Sequence, residues 1–419
     1  MKTLQSWVDV PANSDFTIYN IPFGIFKTDY LQSGVGAAIG DCILDLTYLN
    51  KNGFFDALDI PQGTFDQPYL NIFMALGKRK TSAVRKRIQD LLSADNTELQ
   101  NNKIARELSL VPMAEAEMQL PVHIGNYTDF YSSVEHATNV GTMFRDPDNA
   151  LFPNWKHLPV AYHGRASSII PTGQPIHRPK GQTKAPDQEL PSFGPTKRLD
   201  FELEMGFITG KETELGDSVS TKDAEEYIFG FVVFNDWSAR DIQVWEYVPL
   251  GPFLAKNFAS SISPWVVTIE ALDHFRVATP NQDPKVLPYL EYEGEKSFDI
   301  NLEVDIQPEG SEAATTVCQS NYKHMYWNVN QQLAHHTVNG CNIEVGDLYA
   351  SGTISGPTEA SYGSMLELAW KGTKPLTLAD GSTRTFINDG DTVVMRGYCE
   401  KDGIRVGFGE VSTKVLPAK

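Results

Sequence analysis

Beyond residue 118 the chain is punctuated into short strand-like runs, and that punctuation limits its fold more than any other feature. LDFELEMGFITG, YIFGFVVFND, SPWVVTI, FDINLEVDIQ and DTVVMRGYCE alternate with long Gly/Pro-rich loops, notably residues 171–195. Runs of this length, rich in β-branched and aromatic residues and bounded by turn formers, read as strands. Helical patterns between them are few, which excludes a doubly wound parallel sheet and predicts a mainly β domain with some α. Ahead of it, YNIPFGIF and GVGAAIGDCILDL within residues 16–46 predict a smaller β-rich unit. Residues 77–92 (GKRKTSAVRKRIQDLL) carry a basic helical pattern that packs through Val84, Ile88 and Leu91. The stretch VPMAEAEMQLPV, with Pro112 and Pro121, reads as a connection, so the expected units are residues 1–118 and 119–419. Gly34, Gly36 and Gly40 do not make a dinucleotide loop, because no clear strand precedes them and no long amphipathic helix follows.

With 419 residues and 41% hydrophobic content the chain can bury a large core. Its net charge of -18 repels nucleic acid and anionic membrane alike, so an anionic substrate would need a local arginine cluster. The opening MKTLQSWVDV has no basic segment followed by an apolar one, and no apolar run approaches the ~20 residues that span a bilayer. Cytoplasmic residence is the expectation. Cys42, Cys318, Cys341 and Cys399 are far apart with no C-x-x-C spacing, which predicts reduced thiols and neither a disulfide framework nor a zinc site.

Within residues 200–206 (DFELEMG), Asp200, Glu202 and Glu204 alternate with Phe201, Leu203 and Met205, the pattern of a strand with one buried face. Carboxylates two apart sit roughly 6.5–7 Å from each other and repel, by about 0.6 kcal/mol in water and about 2.4 kcal/mol at an effective dielectric near 20. Either that face is solvated, or a divalent cation with its preference for hard oxygen ligands turns repulsion into attraction.

Four other segments carry chemistry-bearing side chains. In NYTDFYSSVEHATNVGTMFRDP, a helix over residues 129–144 would place Asp129, Ser133 and His136 on one face and Arg145 at its end, where a fixed cation meets an anionic ligand. In YIFGFVVFNDWSARDIQVWEY, the apolar run 228–234 reads as a buried strand, and Asp236 stands where a helix N-cap would. Asp236, Arg240, Gln243 and Tyr247 then fall in one helical stripe of carboxylate, guanidinium, amide and phenol, groups that bind a metal and polarise carbonyls. PLGPFLAKNFASSISPW places Lys256 and Ser260 in a turn-rich passage, where a lysine is ordinarily solvated. YASGTISGPTEASYGSMLEL offers Thr353 in a Gly-rich loop and a strand-like MLEL whose Glu367 opposes two leucines, a pattern common on surfaces. Adjacent His335 and His336 point about 100° apart on a helix and read as structural.

Taken together, YTDFYSSVEHATNVGTMFR, LPVAYHGRASSI, LDFELEMGFI, FNDWSARDIQVWEYVPLGPFLAKNFASSISPWVV, LAHHTVNGCN, GDLYASGTISGP and SMLELAWKG resemble the fumarylacetoacetate hydrolase family. The likeness spans most of the chain after residue 120, and the front unit and the SSVEHATN segment favour the full-length branch over the smaller acylpyruvate hydrolases and 2-oxo acid enzymes. The resemblance implies an SH3-like barrel over 1–118, a β-roll catalytic domain over 119–419, and a homodimer. It implies metal-dependent hydrolysis of the carbon–carbon bond of 4-fumarylacetoacetate to fumarate and acetoacetate, the last step of tyrosine and phenylalanine catabolism. Carried over, Asp129, Glu202, Glu204 and Asp236 hold Mg²⁺ or Ca²⁺, with a second ion near Asp236, Lys256 and Ser260; Asp200 stays outside that shell. His136, charged by Glu367, acts as general base, and Arg240, Gln243 and Lys256 face the oxyanion. Tyr131 and Arg145 take a terminal carboxylate, and Tyr162, Gln243, Tyr247 and Thr353 border the pocket. The competing classes are a non-catalytic metal-binding scaffold, which needs no base, and a decarboxylase or isomerase on the same platform.

Overall fold

The computed structural model describes residues 4–29 and 31–419. Its main sheet has 13 strands and runs through Leu110–Pro112, Cys42–Asp45, Gly34–Ile39, Phe23–Lys27, Trp265–Thr268, Ile228–Asp236, Leu203–Thr209, Leu348–Ala350, Tyr127–Phe130 and Ala161–His163. The path is open at both ends, so the first strands do not close into a separate barrel: Phe23 pairs with Val266 and Gly24 with Trp265, joining them to the strands that follow. A second sheet of five strands is built from Thr315–Asn321, Asn301–Gln307, Thr392–Lys401, Ile404–Leu416 and Ile176–His177.

The strand Ile228–Asp236 is buried along its whole length, as its unbroken apolar run predicts. Phe231 and Val233 join a core shared with Leu302, Val304, Met395 and Phe408 of the second sheet. Phe229, Val232 and Phe234 join another with Phe23, Val35 and Phe73 of the front segment. The helix Lys78–Leu92 buries Val84, Ile88 and Leu91 in that same core, as its sequence period predicts, with Arg79 and Lys86 exposed and Arg85 half-buried against the carbonyls of Tyr19 and Asn20. Among the described residues no helix is long and apolar enough to cross a membrane.

Three local expectations are corrected. Asp129 lies on the strand Tyr127–Phe130, and the helix starts only at Val134 behind the N-cap Ser133, so Asp129 and His136 do not share a helical face. Asp236 is the last residue of a strand and caps nothing; the next helix is Arg240–Glu246, with Ala239 at its N-cap. The MLEL stretch is a short helix, Met365–Leu368, capped by Ser364.

Candidate metal and catalytic site

Four strands of the main sheet bring their chemistry to one end. The start of Leu203–Thr209 lies beside the end of its antiparallel neighbour Ile228–Asp236, with Glu204 opposite Phe234 and Leu203 opposite Asn235. Leu348–Ala350 pairs with the same strand, and Tyr127–Phe130 runs parallel to Leu348–Ala350 with Asp129 opposite Ala350. Asp129, Glu202, Glu204 and Asp236 therefore converge, each offering an oxygen within 4.8 Å of the others, and all four are buried. The solvated face that exposed carboxylates would need does not exist here. Phe201 and Leu203 enter the apolar core while Asp200, Glu202 and Glu204 enter a polar interior, so the period-two pattern separates two buried environments.

Cations balance only part of this charge. The Lys256 ammonium lies 2.6 Å from Asp236 Oδ2 and also contacts Glu202 Oε2. Arg240 places Nη2 2.7 Å from Glu202 Oε1 and Nε 2.7 Å from Asp200 Oδ2. Burial works to raise the pKa of Glu202, but Lys256 and Arg240 outweigh it and hold that carboxyl below its usual range. Among the described residues Glu204 and Asp129 have no such ion pair: burial first, and then the neighbouring carboxylates, push both well above the ordinary range. Asp129 Oδ1 and Glu204 Oε1 are buried without a hydrogen-bond donor among the described residues. Uncompensated carboxylate oxygens in a buried, all-oxygen cluster fit a hard divalent cation.

Around the cluster, Ser260 Oγ donates to Asp236 Oδ1 (2.9 Å) and Tyr162 OH to Asp236 Oδ2 (3.0 Å). Lys256 is buried, contrary to the solvated loop lysine that its neighbourhood suggests. Gly352 N–H donates to Glu204 Oε2 at 2.9 Å; the glycine has a φ of 78°, and a Cβ there would stand 2.3 Å from Phe130 O. Only glycine permits that approach.

Beside the cluster, His136 Nδ1 lies 2.7 Å from Glu367 Oε2, with both side chains buried. Each belongs to the first turn of a serine-capped helix. Ser133 Oγ accepts the His136 N–H, and Ser364 Oγ accepts the Glu367 N–H. Glu367 also receives Asn139 Nδ2 on Oε1 (2.9 Å) and Ser364 Oγ on Oε2 (2.8 Å), with Ser355 Oγ donating between the two oxygens. Burial would raise the Glu367 pKa, but His136 and these donors hold it below the carboxylate norm. An ionised Glu367 is acceptor only, so in the neutral imidazole the proton belongs on Nδ1 and the lone pair on Nε2. Glu367 is thus no surface residue.

The remaining candidates divide. Gln243 Oε1 accepts from Arg240 Nη1 (3.2 Å), and the Tyr131 ring meets the His136 ring edge-on at 5.3 Å. Thr353 is buried, whereas Tyr247 is half exposed. Arg145 donates to Ala150 O and lies over the Phe152 ring at 4.1 Å, which ties it to the loop that follows its helix. Asn139, Ser355, Ser364 and Gly352 escape the sequence reading. Ser364 has a legible signal, since S-M-L-E is the Ser-x-x-Glu pattern of a helix start. The other three contact their partners only through the tertiary fold.

Residues 126–416 match the family described as fumarylacetoacetate (FAA) hydrolase C-terminal, and residues 19–121 match fumarylacetoacetase N-terminal. The chain belongs to the fumarylacetoacetate hydrolase family. It is 55% identical to the fumarylacetoacetase of Caenorhabditis elegans, over 99% of this chain and 100% of that protein. With the Homo sapiens fumarylacetoacetase it shares 53% over 99% of each, and with that of Arabidopsis thaliana 48% over the full length of both. Among solved structures, a fumarylacetoacetate hydrolase from psychrophilic Exiguobacterium antarcticum superposes with a TM-score of 0.54 at 16% identity, covering 95% of this chain and 100% of that one. A maleylpyruvate hydrolase from Sphingobium.sp SYK-6 gives 0.51 at 14%, with the same coverage. At such identities these two establish the fold alone.

Proposed function

We propose that this chain hydrolyses 4-fumarylacetoacetate to fumarate and acetoacetate. The observation that carries the reading is the Glu367–His136 pair beside four buried carboxylates, since a metal-holding scaffold has no use for an oriented base. Identity of about one half along the whole length of fumarylacetoacetases from animals and plants supports the same substrate.

Glu367 keeps the proton on Nδ1 of His136, and Nε2 takes one from water. The resulting hydroxide adds to the carbonyl next to the fumaryl group. Arg240, Lys256 and the Gln243 amide donate to the tetrahedral oxyanion, a contribution of about 10²–10³ in rate for each donor. As the oxyanion collapses, the carbon–carbon bond breaks, and its electron pair leaves with acetoacetate as an enolate that the His136 imidazolium can protonate. Asp129, Glu202, Glu204 and Asp236 would hold Mg²⁺ or Ca²⁺, which when bound supplies positive charge for the diketone oxygens. Asp236, Ser260 and Lys256 border a second position, where Lys256 contributes charge through its ammonium. Tyr131 and Arg145 receive a terminal carboxylate, which requires Arg145 to turn from Ala150, and Tyr162, Tyr247 and Thr353 border the pocket.

In the same reading the protein works as a cytoplasmic homodimer, residues 1–118 forming an SH3-like unit and 119–419 a β-roll catalytic unit. Incubating the purified protein with fumarylacetoacetate and Mg²⁺ or Ca²⁺ tests the activity. The expected result is decay of the diketone absorbance with fumarate and acetoacetate released one to one. Release of carbon dioxide, or an isomer of unchanged mass, overturns it.

A further inference from the structure

Asp200 is fully buried, yet it is not among the four clustered metal-type carboxylates. Its oxygens accept three N–H groups: Arg240 Nε on Oδ2 (2.7 Å), Met365 N on Oδ1 (2.7 Å) and Leu366 N on Oδ2 (3.0 Å). We infer that Asp200 is a positioning residue, one carboxylate that fixes both the guanidinium of Arg240 and the helical turn carrying Glu367. The inference rests on the function proposed above and adds a residue to it.

The backbone explains how one side chain reaches both. Asp200 pairs with Ser238, two residues before the start of the helix Arg240–Glu246. Two residues on, Glu202 bridges to Ser364, the cap of Met365–Leu368, and Leu203 N–H donates to Gly363 O at 2.9 Å. Residues 199–203 therefore run between the beginnings of two helices, with Asp200 in the gap. Ser364 already serves the Glu367 N–H, so Asp200 supplies the acceptors for the two remaining amides of that turn. On its other side Arg240 is shared between Asp200 and Glu202. Without Asp200 the guanidinium keeps Glu202 and the Gln243 amide oxygen but loses the acceptor of its Nε, and the turn bearing Glu367 loses the acceptors of its first two amides, so the oxyanion donor and the base lose their common register. A misplacement of about 1 Å at a reacting centre typically costs about 10²-fold.

Asp200→Asn keeps the shape but sets an NH₂ either against Met365 N–H at the Oδ1 position or against Arg240 Nε–H and Leu366 N–H at the Oδ2 position. The expected result is a kcat lowered about 10²-fold, with KM and the calcium Kd from titration calorimetry each within about threefold of native. Amide hydrogen exchange at Met365 and Leu366 should quicken at least tenfold while exchange in the helix Lys78–Leu92 stays unchanged. Combined with Glu367→Gln, the substitution should add clearly less than its own ~10²-fold to the loss in kcat, because only the share carried through Arg240 remains. Should Asp200→Asn fail to fold, Asp200→Glu keeps the charge and misplaces it by one methylene, and should lose at least tenfold in kcat at native KM. Native kcat in either folded variant, or full multiplicative loss in the double variant, overturns the assignment of Asp200 alone. A native protein that leaves fumarylacetoacetate intact overturns the function and this role together.

Discussion

Replacing Glu367 by glutamine isolates the pair that distinguishes an enzyme from a metal-holding scaffold. The change is isosteric, and Asn139 Nδ2 can still donate to the retained carbonyl oxygen. At the Oε2 position, which now accepts from His136 Nδ1 and the Ser364 hydroxyl, an amide NH₂ would donate instead. The serine hydroxyls can rotate to accept, so the stability cost should be about 1–2 kcal/mol. The imidazole has no such freedom without changing tautomer: Nδ1 becomes the acceptor and Nε2 carries the proton. A protonated Nε2 cannot take a proton from water. When the carboxylate of a serine-protease triad is replaced by its amide, the same tautomer exchange lowers kcat about 10⁴-fold. A loss of about 10³–10⁴, or about 4–5.5 kcal/mol in barrier, is therefore expected here. The assay is steady-state decay of the diketone absorbance, with metal content by elemental analysis and folding by circular dichroism run alongside. Metal content should equal that of the native protein. A folded, metal-replete Glu367→Gln variant with kcat within fivefold of native would refute the orientation argument.

Three further outcomes are expected. His136→Ala should retain native metal content by elemental analysis and abolish turnover, and near-normal turnover would remove it as the base. Glu204→Gln should weaken calcium binding at least tenfold in calorimetry and raise the melting temperature of chelator-treated protein, because Glu204 crowds three other buried carboxylates and makes no ion pair among the described residues. His336, beside Tyr349 and the His163 ring, is lowered to about 4 by burial first and then by His163 and His335. The unfolded chain therefore binds the extra proton between about pH 6.5 and 4, and stability contributed by neutral His336 is full above that window and falls as pH drops through it. The loss should be about 2 kcal/mol after allowance for partial exposure, and urea titrations of His336→Asn should show an acid limb flatter by that amount.

Much of the local architecture is legible in the chain. The helix over residues 78–92 follows from Val84, Ile88 and Leu91 on one stripe, and the buried central strand from the apolar run before Asp236. The place of Asp129 is not legible, for an instructive reason: residues 129–144 read as one helical segment, but Ser133 caps the helix and leaves Asp129 on a strand that pairs with residues 348–350. Lys256 and Glu367 read as surface residues because each sits in a locally ordinary passage. Each is buried by partners on other elements, Lys256 by Glu202 and Glu367 by His136.

What the sequence by itself determined is the set of local preferences: which long apolar or alternating stretches form strands, which helix presents which face, and which reactive groups are present. These depend on side-chain period and capping within a few residues, where each residue's neighbours are known from the chain. The tertiary structure alone decided which carboxylates face one another, that Asp200 links Arg240 to the Glu367 turn, and that Arg240 and Lys256 lie inside. The physical reason is that burying a charge is tolerable only where opposite charges and donors surround it, and here those partners come from strands and turns tens to hundreds of residues apart.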